Sequence, residues 1–313
     1  MTGTCIVSTG HFQPGKVLTN HDIAKLVDTT DEWIQSRVGI RTRHIADPTE
    51  TVDEMAVHAA EHALANQDLL SAADIDLVVV ATTTAIDRSP NMAARVAWKL
   101  GLGTPAVLDI NVACAGFNHA LAVADHTIRA GSATNAIVVA SERLSDAADW
   151  TDRTTCVLVG DGAGAVVLTA SDEPKVGPVV WGSLPEMGNA VRLEGTPPRF
   201  AQEGQAVFRW ATTKLPAIAR QVCERAGLTP EDLGAVILHQ ANLRIVEPVA
   251  QKLGAVNAVV AKDVLDSGNT SAASIPLAMS KMAERGEIPS GAPTLLLGFG
   301  GGLAYAGQVI IFP

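Results

Sequence analysis

Two stretches of this chain, half a chain-length apart, follow one plan. Ser71-Ala-Ala-Asp74-Ile-Asp-Leu-Val-Val-Val-Ala-Thr-Thr-Thr84 reads as a capped turn feeding a buried strand, and Thr229-Pro-Glu-Asp232-Leu-Gly-Ala-Val-Ile-Leu-His-Gln-Ala-Asn242 reads the same way. The offset (232 − 74 = 158) is about half of 313 residues. Each copy follows an amphipathic helix, expected over residues 52–66 and 215–226, and precedes another that ends in Lys-Leu-Gly, at Lys99-Leu-Gly101 and Lys252-Leu-Gly254. A repeated unit of this size restricts the fold strongly, because each copy buries its apolar face against the other.

The correspondence continues. Val107-Leu-Asp-Ile-Asn-Val-Ala-Cys114 and Val259-Val-Ala-Lys-Asp-Val-Leu-Asp-Ser-Gly-Asn269 both deliver a strand to a small-residue helix start. Apolar strands then close each half: Ala136-Ile-Val-Val-Ala140 beside Thr294-Leu-Leu-Leu-Gly298, and Ala163-Gly-Ala-Val-Val-Leu168 beside Ala306-Gly-Gln-Val-Ile-Ile311. Continuous apolar strands alternating with helices predict an α/β fold with parallel-rich sheets covered on both faces. Two βαβαβ-type halves, residues 1–170 and 171–313, are expected to pack on each other with a site at their junction.

Composition excludes several classes. With 47% hydrophobic residues, the chain suits a folded globular protein. A net charge of −10, with no aromatic-interleaved basic run, opposes nucleic-acid binding, so an acidic partner would need a local basic patch. Residues 1–10 lack a signal-peptide pattern and no run of about 18 apolar residues occurs, which predicts a cytoplasmic protein without a membrane span. Cys5, Cys114, Cys156 and Cys223 form no C-x-x-C pair, so neither a disulfide framework nor a structural zinc site is expected.

Among these thiols Cys114 stands apart. It falls where a buried strand hands over to a helix, and a thiol in a helix's first turn feels the positive end of the dipole, which favours the thiolate. The plainer alternative is a small buried hydrophobe. That alternative is preferred for Cys5 and Cys156, assigned to strands, and for Cys223, assigned to a helix. His239 ends the second-half strand, at the carboxyl edge where open α/β sheets place ligand-binding groups. Asn269 occupies a polar turn before a helix, where a cap role is equally natural.

Gly160-Asp-Gly-Ala-Gly164 and Gly298-Phe-Gly-Gly-Gly302 complete no phosphate-binding pattern; close backbone approach, as an oxyanion hole requires, or a tight packed turn explains them better. His58-Ala-Ala-Glu61-His62 matches the H-x-x-E-H spacing of a zinc-peptidase helix. With Met55, Ala56, Ala59, Ala63 and Leu64 forming the apolar side and no third ligand identifiable, it is assigned to a solvated helix face, and no metal is expected.

These residues sit within motifs that run over nearly the whole chain: Thr30-Asp-Glu-Trp-Ile-Gln-Ser-Arg-Val-Gly-Ile40 with Arg41-Thr-Arg-His-Ile-Ala46, Ala113-Cys-Ala-Gly-Phe117, Asp152-Arg153, Gly160-Asp-Gly-Ala-Gly164, His239-Gln-Ala-Asn-Leu-Arg244, Gly268-Asn-Thr-Ser-Ala-Ala-Ser274 and Gly298-Phe-Gly-Gly-Gly302. Together they resemble the β-ketoacyl-acyl-carrier-protein synthase III family. The resemblance implies a thiolase fold, two duplicated halves in an αβαβα sandwich, usually as a homodimer, with a Cys114-His239-Asn269 triad at the junction. It implies that Cys114 attacks an acyl-coenzyme A thioester, with the N–H groups of Cys114 and Gly301 as oxyanion hole. Malonyl-acyl-carrier protein then loses carbon dioxide while His239 and Asn269 hydrogen-bond the developing enolate. Because decarboxylation supplies the carbanion, no strong base is needed, which suits a neutral asparagine. Both thioesters are substrates, so no cofactor is implied.

The same resemblance assigns Trp33, Arg37, Arg153, Phe208 and Asn242 to a coenzyme A channel, and Arg209, Arg244 and Lys252 to carrier-protein docking. Individually, Trp33 reads equally as core and the basic residues as ordinary surface. Two departures stand out. Ser89 occupies an acyl-pocket position where relatives carry a bulkier residue, which suggests a longer or branched primer. The segment between Trp181 and Gly204 is short, and Gln202 stands where an apolar residue is common. The rival readings are a thiolase-fold acyltransferase of secondary metabolism that loads a starter unit or esterifies an alcohol, a cysteine hydrolase and a non-catalytic carrier-protein scaffold. Simple transfer forms no enolate for Asn269, the hydrolase reading lacks a C-G-S-C-W motif, and the intact triad disfavours the scaffold.

Overall fold

The computed structural model describes residues 3–313, and two five-stranded sheets carry the fold. The first contains β1 (Gly3–Phe12), β2 (Leu77–Ala81), β3 (Ala106–Ile110), β4 (Asn135–Arg143) and β5 (Asp161–Ser171), in the spatial order β1-β5-β4-β2-β3. The second contains β6 (Val180–Gly182), β7 (Ala235–Leu238), β8 (Val259–Val260), β9 (Pro293–Phe299) and β10 (Tyr305–Ile311), in the order β6-β10-β9-β7-β8. The two topologies are identical, strand for strand.

Within each sheet three of the strands expected from the apolar pattern pair in parallel, β4-β2-β3 and β9-β7-β8. The remaining pairs are antiparallel. The sheets are therefore mixed, for a topological reason: no crossover α-helix separates β4 from β5 or β9 from β10, and only a crossover can return a strand in parallel.

Helices α1 (Val52–Ala65) and α2 (Met92–Lys99) cover the outer face of the first sheet and α3 (Gly116–Arg129) lies between the sheets. Helices α4 (Gly204–Arg225) and α5 (Leu243–Leu253) cover the outer face of the second, and α6 (Ser274–Glu284) returns to the middle. This is the αβαβα sandwich. Strand periodicity explains why both faces are apolar: Leu77, Val79, Ala81, Ala235 and Ile237 enter the central core, whereas Val78 and Val80, and Val236 and Leu238, enter the two outer ones. The middle helix α3 is built from small residues, with Gly116, Ala120, Ala122 and Ala124 all buried, so it fits where apolar surface meets it on every side.

The repeated turns have the expected chemistry. Asp74 Oδ2 accepts from the Ser71 N–H at 2.8 Å and hydroxyl at 2.7 Å, and Asp232 Oδ2 accepts from the same groups of Thr229 at 2.7 and 2.8 Å. Two local expectations change. Helix α4 starts at Gly204 rather than at residue 215 and runs through Pro216; Val207, Trp210 and Ala211 before the proline, and Leu215, Ala219 and Val222 around it, pack into one outer core and hold the helix continuous. Cys156 lies in a buried turn rather than a strand, because the Asp152 carboxylate draws in the Thr154 N–H and the Thr155 hydroxyl while the Asp152 carbonyl accepts the Cys156 N–H.

Candidate active site

Both middle helices begin just after a strained residue. Ala113 (φ 44°) and Ser271 (φ 49°) occupy the left-handed region, 271 − 113 = 158 positions apart, which is again the repeat offset. Such a conformation costs about 1–3 kcal/mol at a non-glycine residue and persists only where surrounding packing imposes it. Short 3₁₀ turns, Ala113–Ala115 and Ser271–Ala273, follow and open onto α3 and α6. The first turn carries Cys114; its counterpart in the second is Ala272. The duplicated frame thus supplies one thiol, held where the halves meet.

The segment after β9 presses on that turn. A Cβ at Gly300 would stand 2.6 Å from Cys114 Cβ and 2.9 Å from its Sγ, so only glycine permits this approach. Gly164 does the same for the Pro276–Leu277 backbone, where a Cβ would lie 2.4 Å from Leu277 N. Both glycine-rich stretches therefore serve close packing between the halves.

Cys114 is 8% exposed. Burial pushes its thiol up to about 11, against the opposing pull of the Ser271 hydroxyl and the backbone N–H groups of Cys114 and Gly301. This revises the expectation of a helix-stabilised thiolate: desolvation outweighs the donors around the sulfur, and the resting group is a neutral thiol. His239, one residue beyond β7, is 2% exposed, and burial drops its pKa to about 3. Its Nδ1 lies 2.7 Å from Ser274 Oγ, so Nε2 is the ring nitrogen left for chemistry. Asn269 accepts the Ser271 N–H on Oδ1 at 2.8 Å, which orients the amide and leaves Nδ2 as its available donor.

Two cavities meet at Asn269. The first, about 600 Å³, is lined by Cys114, Asn269, Ser271 and Gly301, with Val191 and Phe200 from the Val191–Glu194/Arg199–Gln202 hairpin. The second, about 540 Å³, is lined by Asn269, Arg37, Phe208, Arg209, Asn242 and Arg244. The short segment before Gly204 thus contributes to both, with Gln202 in the second cavity. Arg153 and Arg37 flank the half-buried Trp33 ring, 5.0 and 6.0 Å from its centroid, and Arg244 lies 5.4 Å over Phe208. Asn242 also caps α5, accepting the Arg244 N–H at 2.9 Å. Lys252, farther along α5, donates to Thr212 O at 2.9 Å and lines neither cavity. Ser89 is exposed and likewise apart from both.

The sequence pattern missed Glu142. It is fully buried at the carboxyl end of β4 and accepts the Thr83 N–H at 3.1 Å and the Thr83 and Thr84 hydroxyls at 2.9 and 2.7 Å. Burial raises its pKa against these bonds and that of Ser271, and its charge raises the Cys114 thiol further. A carboxylate closing an otherwise apolar strand was the available signal. Ser271 and Ser274 were visible only as part of a small-residue helix start.

The family description "3-Oxoacyl-[acyl-carrier-protein (ACP)] synthase III" matches residues 108–185, and its C-terminal counterpart matches residues 223–312. The chain is 70% identical to β-ketoacyl-[acyl-carrier-protein] synthase III 4 of Streptomyces coelicolor, covering 99% of both chains. It is 69% identical to synthase III 2 of Streptomyces avermitilis, covering 100% of both. Among solved structures, the priming β-ketosynthase of the R1128 polyketide pathway superposes with a TM-score of 0.97 at 39% identity, over 99% of this chain and 96% of that one. The 3-oxoacyl-[acyl-carrier-protein] synthase III of Aquifex aeolicus gives 0.94 at 39% identity, over 99% and 100%. Cys114 and Asn269 line one cavity where the two halves join, within a chain that matches these enzymes from end to end: the protein belongs to the β-ketoacyl-[acyl-carrier-protein] synthase III family of acyltransferases.

Proposed function

We propose that the chain condenses an acyl-coenzyme A primer with malonyl-acyl-carrier protein, losing carbon dioxide and yielding a 3-oxoacyl-acyl-carrier protein that starts a fatty-acid or polyketide chain. The observation that carries this reading is Asn269, shared by the cavity that holds Cys114 and the cavity ringed by Arg37, Arg209 and Arg244. A phosphate-bearing thioester arm enters past the guanidinium groups and presents its carbonyl to the thiol.

With the thiol at about 11 and the imidazole at about 3, a preformed thiolate–imidazolium pair is strongly disfavoured. The proton therefore passes to His239 Nε2 as the sulfur–carbonyl bond forms, and the N–H groups of Cys114 and Gly301 hold the oxyanion. Coenzyme A leaves with the proton, and the acyl group stays on Cys114. In the second half-reaction the malonyl carboxylate departs as carbon dioxide, and Nε2–H of His239 with Nδ2–H of Asn269 donate to the enolate oxygen. The carbanion attacks the acyl-Cys114 carbonyl and expels the Cys114 thiolate, which takes up one proton from solvent water to restore the resting thiol. Histidine must accept a proton in the first half and donate a hydrogen bond in the second. A hydroxyl partner permits this, since the Ser274 O–H can accept from Nδ1 or donate to it, whereas a carboxylate would fix one tautomer. No cofactor enters this sequence.

We take residues 1–170 and 171–313 as the two halves and place the enzyme in the cytoplasm; no helix of the described residues is long and apolar enough to cross a membrane. Arg209, Arg244 and Lys252 form the carrier-protein surface, with Trp33 and Arg153 at the channel mouth. The exposed edge strand β3, with Val107 and Leu108 at 38% and 41% exposure, suits pairing with a second copy. Ser89, exposed in the chain alone, reaches an acyl pocket only through such a dimer. Similarity to a polyketide-priming ketosynthase favours, as a second reading, loading of a starter unit in secondary metabolism.

Intact-mass spectrometry with a panel of acyl-coenzyme A esters tests this: an adduct that forms on the wild type and not on Cys114→Ala, and that malonyl-acyl-carrier protein converts to a β-ketoacyl product, is expected. Free acid released without condensation would defeat the proposal, and a preference for acetyl over every longer primer would remove the role given to Ser89.

A further inference from the structure

The H-x-x-E-H helix face is not uniformly solvated. His58 and Glu61 are exposed, with His58 Nδ1 3.3 Å from Glu61 Oε2, but His62 turns toward His11 on β1 and Glu284 at the end of α6. His62 Nε2 lies 3.2 Å from Glu284 Oε1 and His11 Nδ1 lies 3.7 Å from the same oxygen. All three donor atoms fall within 4.8 Å of one another. A tetrahedral zinc ion with ligands at about 2.1 Å separates its donors by roughly 3.4 Å, so two of these spacings already bracket a bound ion.

The supporting contacts agree. His62 Nδ1 lies 3.1 Å from both the N–H and the carbonyl of His11; metal binding selects the tautomer that donates to the carbonyl and leaves the Nε2 lone pair facing Glu284, the outer hydrogen bond that metal-bound imidazoles commonly make. Ser280 Oγ, 2.9 Å from His11 Nδ1, borders an adjoining cavity of about 430 Å³ that Glu284 also lines, giving an ion a route in and a place for water. The nearby cation Lys281 is held by Asp263 at 2.6 Å, with further bonds to Gln13 and Ser267.

We propose that His11, His62 and Glu284 form a three-ligand site for a divalent transition metal of the Zn²⁺ class, with water as fourth ligand, fastening β1 and α1 to the middle helix α6. The site shares no residue with the two cavities at Cys114. The sequence could not show it, because the ligands are 51 and 222 positions apart (62 − 11 and 284 − 62).

Chelator-treated full-length protein is titrated with Zn²⁺ by calorimetry and with Co²⁺ by visible absorption, alongside His62→Ala and Glu284→Gln. One equivalent is expected, with d–d absorption and no sulfur charge-transfer band, an affinity at least about tenfold weaker in both variants, and a Zn²⁺-induced rise in Tm that Glu284→Gln lacks. Glu284 is half-exposed and the replacement nearly isosteric, so this variant stays informative if His62→Ala fails to fold. Absence of stoichiometric binding by the wild type, undiminished affinity in Glu284→Gln, or a thiolate band placing the metal on cysteine would each overturn the assignment.

Discussion

Gly300→Ala tests how closely the second half holds the nucleophile of the first. The added methyl would stand 2.6 Å from Cys114 Cβ, 2.9 Å from Sγ and 3.1 Å from the Cys114 nitrogen. Carbon–carbon contact is comfortable at about 3.5–4.0 Å, so the Ala113–Ala115 turn or the Gly300 strand must retreat by roughly 1 Å. Backbone conformation does not oppose the change, since φ at Gly300 is extended at 171°. Overpacking of this kind costs about 1–3 kcal/mol of stability, a loss of several degrees in Tm. The kinetic effect is larger. A displacement near 1 Å at a reacting atom costs about 10²-fold, and losing one oxyanion donor about 10²–10³-fold. Single-turnover acylation of Cys114, followed by intact mass in rapid-quench samples, should therefore slow by at least about 10²-fold while the protein stays folded. Gly103→Ala is the control, because nothing lies within 4 Å of its Cβ position and its φ is not positive. Acylation of Gly300→Ala within about twofold of wild type, where a 1 Å shift should cost 10²-fold, would refute the claim that the Gly298–Gly302 segment sets the geometry of the thiol.

Three further outcomes follow from the same geometry. The folded-state pKa of His239 lies at about 3, below its ordinary 6.5, so the unfolded chain takes up a proton first; stability falls by up to about 1.4 kcal/mol per pH unit from pH 6.5 down towards 3, and His239→Gln should flatten that limb of a urea-denaturation series. Alkylation of Cys114 by iodoacetamide should keep accelerating with pH towards about 11, and Glu142→Gln should move that midpoint down by removing a charge that raises it; peptide mass spectrometry separates Cys114 from Cys156 and Cys223. Arg209→Glu combined with Arg244→Glu should raise KM for malonyl-acyl-carrier protein and weaken its salt dependence; an unaltered KM would place docking elsewhere.

The apolar strands, their capped turns and the repeat were legible in sequence because they rest on local chemistry: unbroken apolar runs, buried at every position, in Leu77–Ala81 and Ala235–Leu238, and carboxylates three residues after Ser71 and Thr229. Cys114, His239 and Asn269 were legible through their motifs and their positions at strand ends. The antiparallel outer strands were not, since pairing direction depends on what connects two strands rather than on the residues within them. The continuation of α4 through Pro216 was hidden for a similar reason, because tertiary packing overrides a local penalty.

By itself, then, the sequence determined a duplicated α/β unit with one thiol, one imidazole and one amide at matching ends. Their ionisation was decided by tertiary structure. A helix start next to Cys114 favours the thiolate, but only the packed halves remove the water that would solvate it, and that desolvation leaves both the thiol and the imidazole neutral. Glu142 among its threonines and the His11–His62–Glu284 cluster likewise exist only after folding, because electrostatics acts through space at a few ångströms between residues that the chain places tens to hundreds of positions apart.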